Sequence, residues 1–229
     1  MTADPACFET PRPRGLFFSL DGPDGGGKTT QAALLAAWLR ARGQNVVACR
    51  DPGGTPLGDR LRPILLDRDG AAVGLRAEML LYMASRAQLV EEVIRPSLAA
   101  GRVVVSDRFL LANIVYQGDA GGLPVDEVGQ VGRAATGGLL PDLTIVLDVP
   151  ADVAKARVGR ARDRIEDRPD DYRARVRTGF LRAACDWPAG HCPYYPAPIV
   201  VVDATGEPND VTTRIRSEVQ RVLALDPRT

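Results

Sequence analysis

The chain has 229 residues, 45% hydrophobic and 25% charged, which suits one globular domain with a substantial core. Its 29 basic and 29 acidic residues cancel, so no overall pull toward nucleic acid or a membrane surface is expected and any anion site must be local. No run approaches the roughly 18 apolar residues of a membrane span, and the first ten residues lack a basic region followed by an apolar one, so a cytoplasmic protein without nucleic-acid or membrane partners is expected.

Cys7, Cys49, Cys185 and Cys192 make no disulfide framework for a chain of this length, which fits a reducing compartment. His191 and Cys192 near Cys185 have poor spacing for a metal, and ordinary thiols are expected. Of the basic residues only Lys28 and Lys155 are lysines. A compact ammonium is not interchangeable with a guanidinium where it must reach between phosphate oxygens, which draws attention to Lys28.

Residues 1–14, with three prolines and few apolar side chains, read as a disordered tail, and 15–229 as a single domain. Leu16–Leu20 is a short apolar run read as a buried strand leading into Asp21-Gly22. From Thr29 to Arg42 the residues Ala33, Leu34, Ala37, Trp38 and Ala41 recur at helical spacing, and Gly43 stops the helix. A second strand, Asn45–Arg50, runs into the turn-rich Asp51-Pro-Gly-Gly-Thr55. Helices are expected from about Pro56 to Leu66 and Arg76 to Ala100. A third strand then spans Arg102–Ser106, a helical region precedes the fourth at Leu143–Asp148, and the fifth at Ile199–Asp203 feeds a closing helix through Val211, Ile215, Val219 and Leu223.

Apolar strands separated by helices predict an α/β fold: a three-layer P-loop architecture with a five-stranded parallel sheet flanked by helices on both faces. Such sheets bind ligands beyond the carboxyl ends of their strands. Gly22-Pro23-Asp24-Gly25-Gly26-Gly27-Lys28-Thr29 sits at such an end and matches G-x-x-x-x-G-K-[ST] between a predicted strand and a predicted helix. The glycines let main-chain N–H groups converge on an anion, and the helix N-terminus adds partial positive charge. Lys28 then bridges the outer phosphates of ATP and Thr29 offers a hydroxyl to Mg²⁺, with Thr30 next in the loop. Asp107, ending the third strand, is a candidate second holder of Mg²⁺; Asp148, ending the fourth, is its rival, and an acid at a strand end is often only a helix cap.

A phosphate cradle alone covers kinases, GTPases, motors and transporters. Neither lysine lies in the Asn-Lys-x-Asp context of a regulatory GTPase. Six ordered blocks carry a more specific likeness: Asp21–Thr30, Arg50–Thr55, Tyr82–Gln88, Asp107–Phe109 with Asn113–Gly118, Pro141–Thr144 with Leu147-Asp148, and Asp163–Glu166. On these the chain resembles the thymidylate kinase family of P-loop nucleoside monophosphate kinases, from about Gly15 to the C-terminal helix.

The resemblance implies transfer of the γ-phosphoryl of ATP to dTMP, with Mg²⁺, by a homodimer. It implies that Tyr82, where phenylalanine is usual, stacks on thymine while Arg86, one helical turn away on the same face, reaches the base edge or phosphate. Arg108 grips phosphate between donor and acceptor, Asn113 meets the thymine edge, and Tyr116 with Gln117 senses the deoxyribose. Asp24 contacts the acceptor sugar or a phosphate-gripping arginine, and Arg50 lies by the acceptor phosphate, followed by Asp51 where glutamate is more usual. The segment at about 157–170 corresponds to a lid closing over ATP. Some members carry a catalytic arginine in the P-loop where this chain has Gly25, so Arg160 or Arg162 is the candidate. Other acceptors, another nucleoside monophosphate or a different small molecule, stay open at this point, as does a nucleotide-binding regulatory module that has lost catalysis.

Overall fold

The computed structural model describes residues 15–157, 164–165, 168–186 and 195–225. Among these, five strands form one parallel sheet in the order β2-β3-β1-β4-β5. They are β1 (Phe17–Asp21), β2 (Val46–Arg50), β3 (Val103–Asp107), β4 (Leu143–Asp148) and β5 (Ile199–Asp203).

Alternation along the strands splits the core in two, because successive side chains of a strand point to opposite faces. Phe17, Val104 and Val146 pack on one face with Leu89, Phe109 and Phe180. Phe18, Val105 and Ile145 pack on the other with Leu35, Leu39, Ile215 and Val219. The second face is covered by α1 (Lys28–Ala41) and the closing α9 (Pro208–Leu225). Around the first face come α2 (Pro56–Leu66), α3 (Leu75–Leu89), α4 (Arg95–Ala99), α5 (Leu110–Asn113), α6 (Val125–Thr136) and α8 (Asp170–Asp186), while Val153 and Ala154 of α7 (Ala151–Arg157) pack against the second-face cluster.

Chain direction at the sheet explains where a ligand must sit. From β1 the chain crosses to β2, leaving a place that β3 later fills, and β4 is then added on the other side of β1. The connections leave β1 in opposite directions, and their loops part above its carboxyl end. Leu20 of β1 and Arg50 of β2 both lie in register with Asp107 of β3, so these strand ends finish level with one another.

The helices differ from expectation in two respects. The single helix expected over Arg76–Ala100 is interrupted by a π-helical stretch, Val90–Ile94. There the Arg95 N–H reaches back to the Val90 carbonyl, immediately before Pro96, whose ring has no N–H to continue the ladder. A second π-helical stretch, Ile114–Asp119, follows α5 and carries Tyr116 and Gln117. α8, with no counterpart among the expected elements, buries Tyr172, Val176, Phe180 and Ala183 at spacings of one helical turn.

Candidate functional site

Gly22, Gly25 and Gly27 have φ of 132°, 79° and 81°, backbone states that side chains rarely tolerate. At Gly25 the packing also forbids a side chain, because a Cβ would lie 2.4 Å from the Ala154 carbonyl of α7. The loop thus curls over the start of α1, and Lys28, 6% exposed, is its first helical residue. The Lys28 ammonium donates to the Pro23 carbonyl at 2.7 Å and lies 4.0 Å from the Asp24 carboxylate. Burial, helped by the neighbouring Arg108 charge, lowers its pKa to about 8 from 10.5. An ammonium held so poorly neutralised is prepared for the oxygens of a polyphosphate.

Beside it the Thr29 hydroxyl donates to Asp107 Oδ2 at 2.5 Å. Hydroxyl and carboxylate oxygens are the hard donors Mg²⁺ takes, with its remaining positions left to water and phosphate, so this pair fits the ion. The rival, Asp148, is otherwise engaged: both its oxygens accept from Arg177 of α8, at 2.7 and 2.8 Å. Among the described residues no three His, Cys, Asp or Glu side chains converge as a metal site. Cys185 is exposed, burial pushes the Cys49 thiol up to about 12, and His191 and Cys192 lie outside the described residues.

Arg108 joins the cradle to the rest of the cavity. It is the one non-glycine residue with positive φ among those described, at 71°, a conformation that costs on the order of 1–3 kcal/mol and persists only where its surroundings hold it. They do: its N–H donates to the Leu20 carbonyl at 2.9 Å and its own carbonyl accepts from the Ser106 hydroxyl at 2.7 Å. The guanidinium is thereby aimed back at the P-loop, bonded to the Gly22 carbonyl and to Asp24. Tyr116 closes this cluster, donating to Asp24 Oδ2 at 2.9 Å with its ring 5.1 Å beneath the Arg108 guanidinium. Burial would raise the Asp24 carboxyl, but Arg108 and Lys28 outweigh it and hold it below the usual carboxylate range.

One cavity of about 330 Å³ spans these groups and continues past β2 and β3. Asp24, Gly25, Gly27, Lys28, Thr29, Thr30 and Asp107 line one side; Arg50, Tyr82, Arg86, Asn113, Tyr116 and Gln117 line the other, with Arg108 between. Two sets of groups for anions thus share one cavity.

The thymidylate kinase family model matches residues 20–215. The chain belongs to that family. A thymidylate kinase of Leifsonia xyli subsp. xyli is 45% identical over 210 residues, covering 90% of this chain and 95% of that one. One from Rhodopirellula baltica is 48% identical over 167 residues, covering 73% of this chain and 68% of that one. The crystal structure of thymidylate kinase from Ehrlichia chaffeensis superposes with a TM-score of 0.68 at 28% identity, covering 91% of this chain and 98% of that one.

For a thymidylate kinase family member the details of the second wall are informative. Arg86 is 1% exposed, and its Nε donates to Asp51 Oδ2 at 2.5 Å and its Nη2 to the Phe109 carbonyl at 3.2 Å. Asp51, at the position where glutamate is more usual, is therefore the anchor that sets this arginine, and burial raises its carboxyl against the pull of Arg86. Arg50 is half exposed and pairs with Asp59 at 3.3 Å, within reach of the cavity mouth. Arg160 and Arg162 lie outside the described residues.

Sequence reasoning passed over Glu78, Asp21 and Arg62. Glu78 is fully buried beneath Gln117 and pairs with Arg164 and Arg168. It stands four residues before Tyr82 and eight before Arg86, so helical spacing alone already placed it on their face. Asp21 is also fully buried; burial raises its carboxyl, against the Ser19 hydroxyl that donates to it at 2.7 Å. Arg62 lines the cavity and donates to the Pro52 carbonyl at 2.8 Å.

Proposed function

We propose that this chain is a dTMP kinase, transferring the γ-phosphoryl of ATP to the phosphate of dTMP to give dTDP and ADP, in the cytoplasm where ATP is available. The observation that carries it is the junction at Arg108: a guanidinium in a held, left-handed backbone, bonded to the P-loop and lining the acceptor side of the same cavity. An acceptor phosphate, with a second pKa of about 6, is largely dianionic at neutral pH and needs no general base. Catalysis is then positioning plus neutralisation of charge. The loop amides and Lys28 hold the donor phosphates, and Arg108 faces the transferred group. Thr29 and Asp107 are the residues that would hold Mg²⁺, which supplies further positive charge to the phosphate oxygens when bound.

Supporting a lid arginine is the packing at Gly25, which admits no side chain of its own. The guanidinium that some relatives place there must come from elsewhere, and Arg160 or Arg162 is the residue we assign. On the acceptor side, Asn113 and Tyr82 face the base, Arg50 the phosphate, and Tyr116 the sugar, where its ring leaves a ribose 2′-hydroxyl unaccommodated. We further propose that two copies pair through the outer face of α2 and α3, where Leu57, Ile64 and Leu80 are 43%, 51% and 50% exposed. Light scattering then returns twice the chain mass.

A coupled ADP-release assay across dTMP, dUMP, dCMP, AMP and shikimate tests the acceptor. The expected result is the highest kcat/KM with dTMP. An acceptor profile in which dTMP has no advantage overturns it.

A further inference from the structure

We infer that Glu78, which touches no substrate, selects the base the acceptor pocket reads, by fixing the direction of the hydrogen bonds that run from it through Gln117 to Asn113. This rests on dTMP being the acceptor. Glu78 lies on α3 with no exposed surface. Its Oε1 accepts from Gln117 Nε2 at 2.8 Å and from Arg168 at 2.9 Å. Its Oε2 accepts from Arg168 at 2.8 Å and pairs with Arg164 at 2.9 Å. Burying a carboxylate is costly, and the two guanidiniums offset that cost. An apolar residue would fill the same space without either, so the charge has a use beyond packing.

That use follows from what a carboxylate is able to do. It only accepts, so Gln117 is obliged to turn its NH₂ toward Glu78. The Gln117 Oε1 is then left facing Asn113, and it takes the Asn113 Nδ2 at 2.9 Å. Asn113 is 2% exposed and lines the cavity. With Nδ2 turned to Gln117, Oδ1 is the amide atom available to accept from a ligand in the cavity. A side-chain amide turned by 180° has almost the same shape, so nothing but its hydrogen-bond partners decides which way it stands. Glu78 makes that decision two side chains away.

Thymine and uracil carry an N–H at ring position 3, between two carbonyls. Cytosine carries a lone pair there and an amino group beside it. An Asn113 that presents Oδ1 accepts from the first pattern and meets the second acceptor to acceptor. Reversing the relay reverses the preference. Glu78→Gln does this with little change of volume: its carbonyl stays with Arg164 and Arg168 in place of Oε2, its NH₂ takes the place of Oε1, gives up the second Arg168 contact made there and donates to Gln117, and both amides turn. Glu78 is thus a positioning residue for base selection.

Steady-state kinetics with dTMP, dUMP and dCMP at saturating ATP, on the wild type, Glu78→Gln and Gln117→Met, test this. In Glu78→Gln the kcat/KM ratio of dTMP to dCMP falls by at least about tenfold, carried by the KM of the monophosphate, with dUMP following dTMP. The KM for ATP stays within about twofold. Gln117→Met frees Asn113 while leaving both arginine pairs of Glu78 in place, so its ratio also falls, and it decides the matter if Glu78→Gln does not fold. Equal losses for dTMP and dCMP, or a ratio unchanged from wild type, overturn the inference and leave the dTMP kinase assignment standing. A wild type with no preference for dTMP overturns that assignment before any substitution is made, and the inference with it.

Discussion

The donor side of the cavity draws nearly all its groups from one unbroken stretch, Gly22 to Thr30, with Asp107 at the end of β3 as the exception. The acceptor side gathers side chains from β2, α3, the end of β3 and the π-helical stretch after α5. On the donor side specificity is low and tolerance is low at particular points: main-chain amides read only phosphate, and at Gly22 and Gly25 positive φ and close backbone neighbours leave no room for a side chain. On the acceptor side each contact is replaceable, yet every one depends on a partner elsewhere, Arg86 on Asp51 and Asn113 on Gln117 and Glu78. A backbone-built site fixes the chemistry; a side-chain-built site fixes the substrate.

The sharpest break is expected at Lys28. Lys28→Ala should lower kcat by about 10³ while the KM for dTMP changes little, because it removes a charge at the transferred group and no acceptor contact. Stopped assays with purified variant check this, and near-normal turnover would contradict the cradle. Arg108→Met comes next, with kcat/KM for dTMP down about 10²-fold or more and ATP affinity retained, read by kinetics and nucleotide titration. An equal loss of ATP affinity would place Arg108 on the donor side alone.

Gly25→Ala addresses the loop's intolerance. A Cβ 2.4 Å from the Ala154 carbonyl at a φ of 79° should cost about 2 kcal/mol of stability, measured by urea unfolding. The same exchange at Gly27, where a Cβ meets nothing within 4 Å, should cost about 1 kcal/mol, from the backbone alone.

The smallest effect is a proton. Lys28 has a folded pKa of about 8, below its ordinary 10.5, so the unfolded chain binds the extra proton between those values and this group's contribution to stability rises with pH through that window. A bound triphosphate favours the charged form, so ATP binding near pH 8 should draw in about half a proton at Lys28, and this uptake should vanish toward pH 6.5, where Lys28 is already charged. Calorimetry in buffers of different ionisation enthalpy measures it, and Lys28→Met should abolish it.

The same division explains what could be read from the chain. The P-loop stood out because its groups are consecutive, and Asp107 was marked as a candidate because these parallel strands are mostly apolar until they stop. The strands themselves fell within a residue or two of expectation for the same reason. Side-chain dependencies were not visible: that Asp148 is occupied by Arg177, or that Glu78 holds Gln117, requires knowing that α8 and α3 lie against β4 and the π-helical stretch. α8 itself escaped because its many arginines and acids mask the apolar spacing of Tyr172, Val176 and Phe180. The π-helical interruptions have only Pro96 as a local sign.

In the proposed reaction one cavity holds a donor triphosphate and dTMP with Arg108 between their phosphates. A crystal structure with ADP and dTMP bound tests it most directly. The expected result is the ADP β-phosphate on the amides of the Gly22–Thr29 loop and beside Lys28, the dTMP phosphate by Arg108 and Arg50, and thymine against Tyr82 and Asn113. ADP bound away from that loop, or dTMP outside the space between α3 and Arg108, would contradict it.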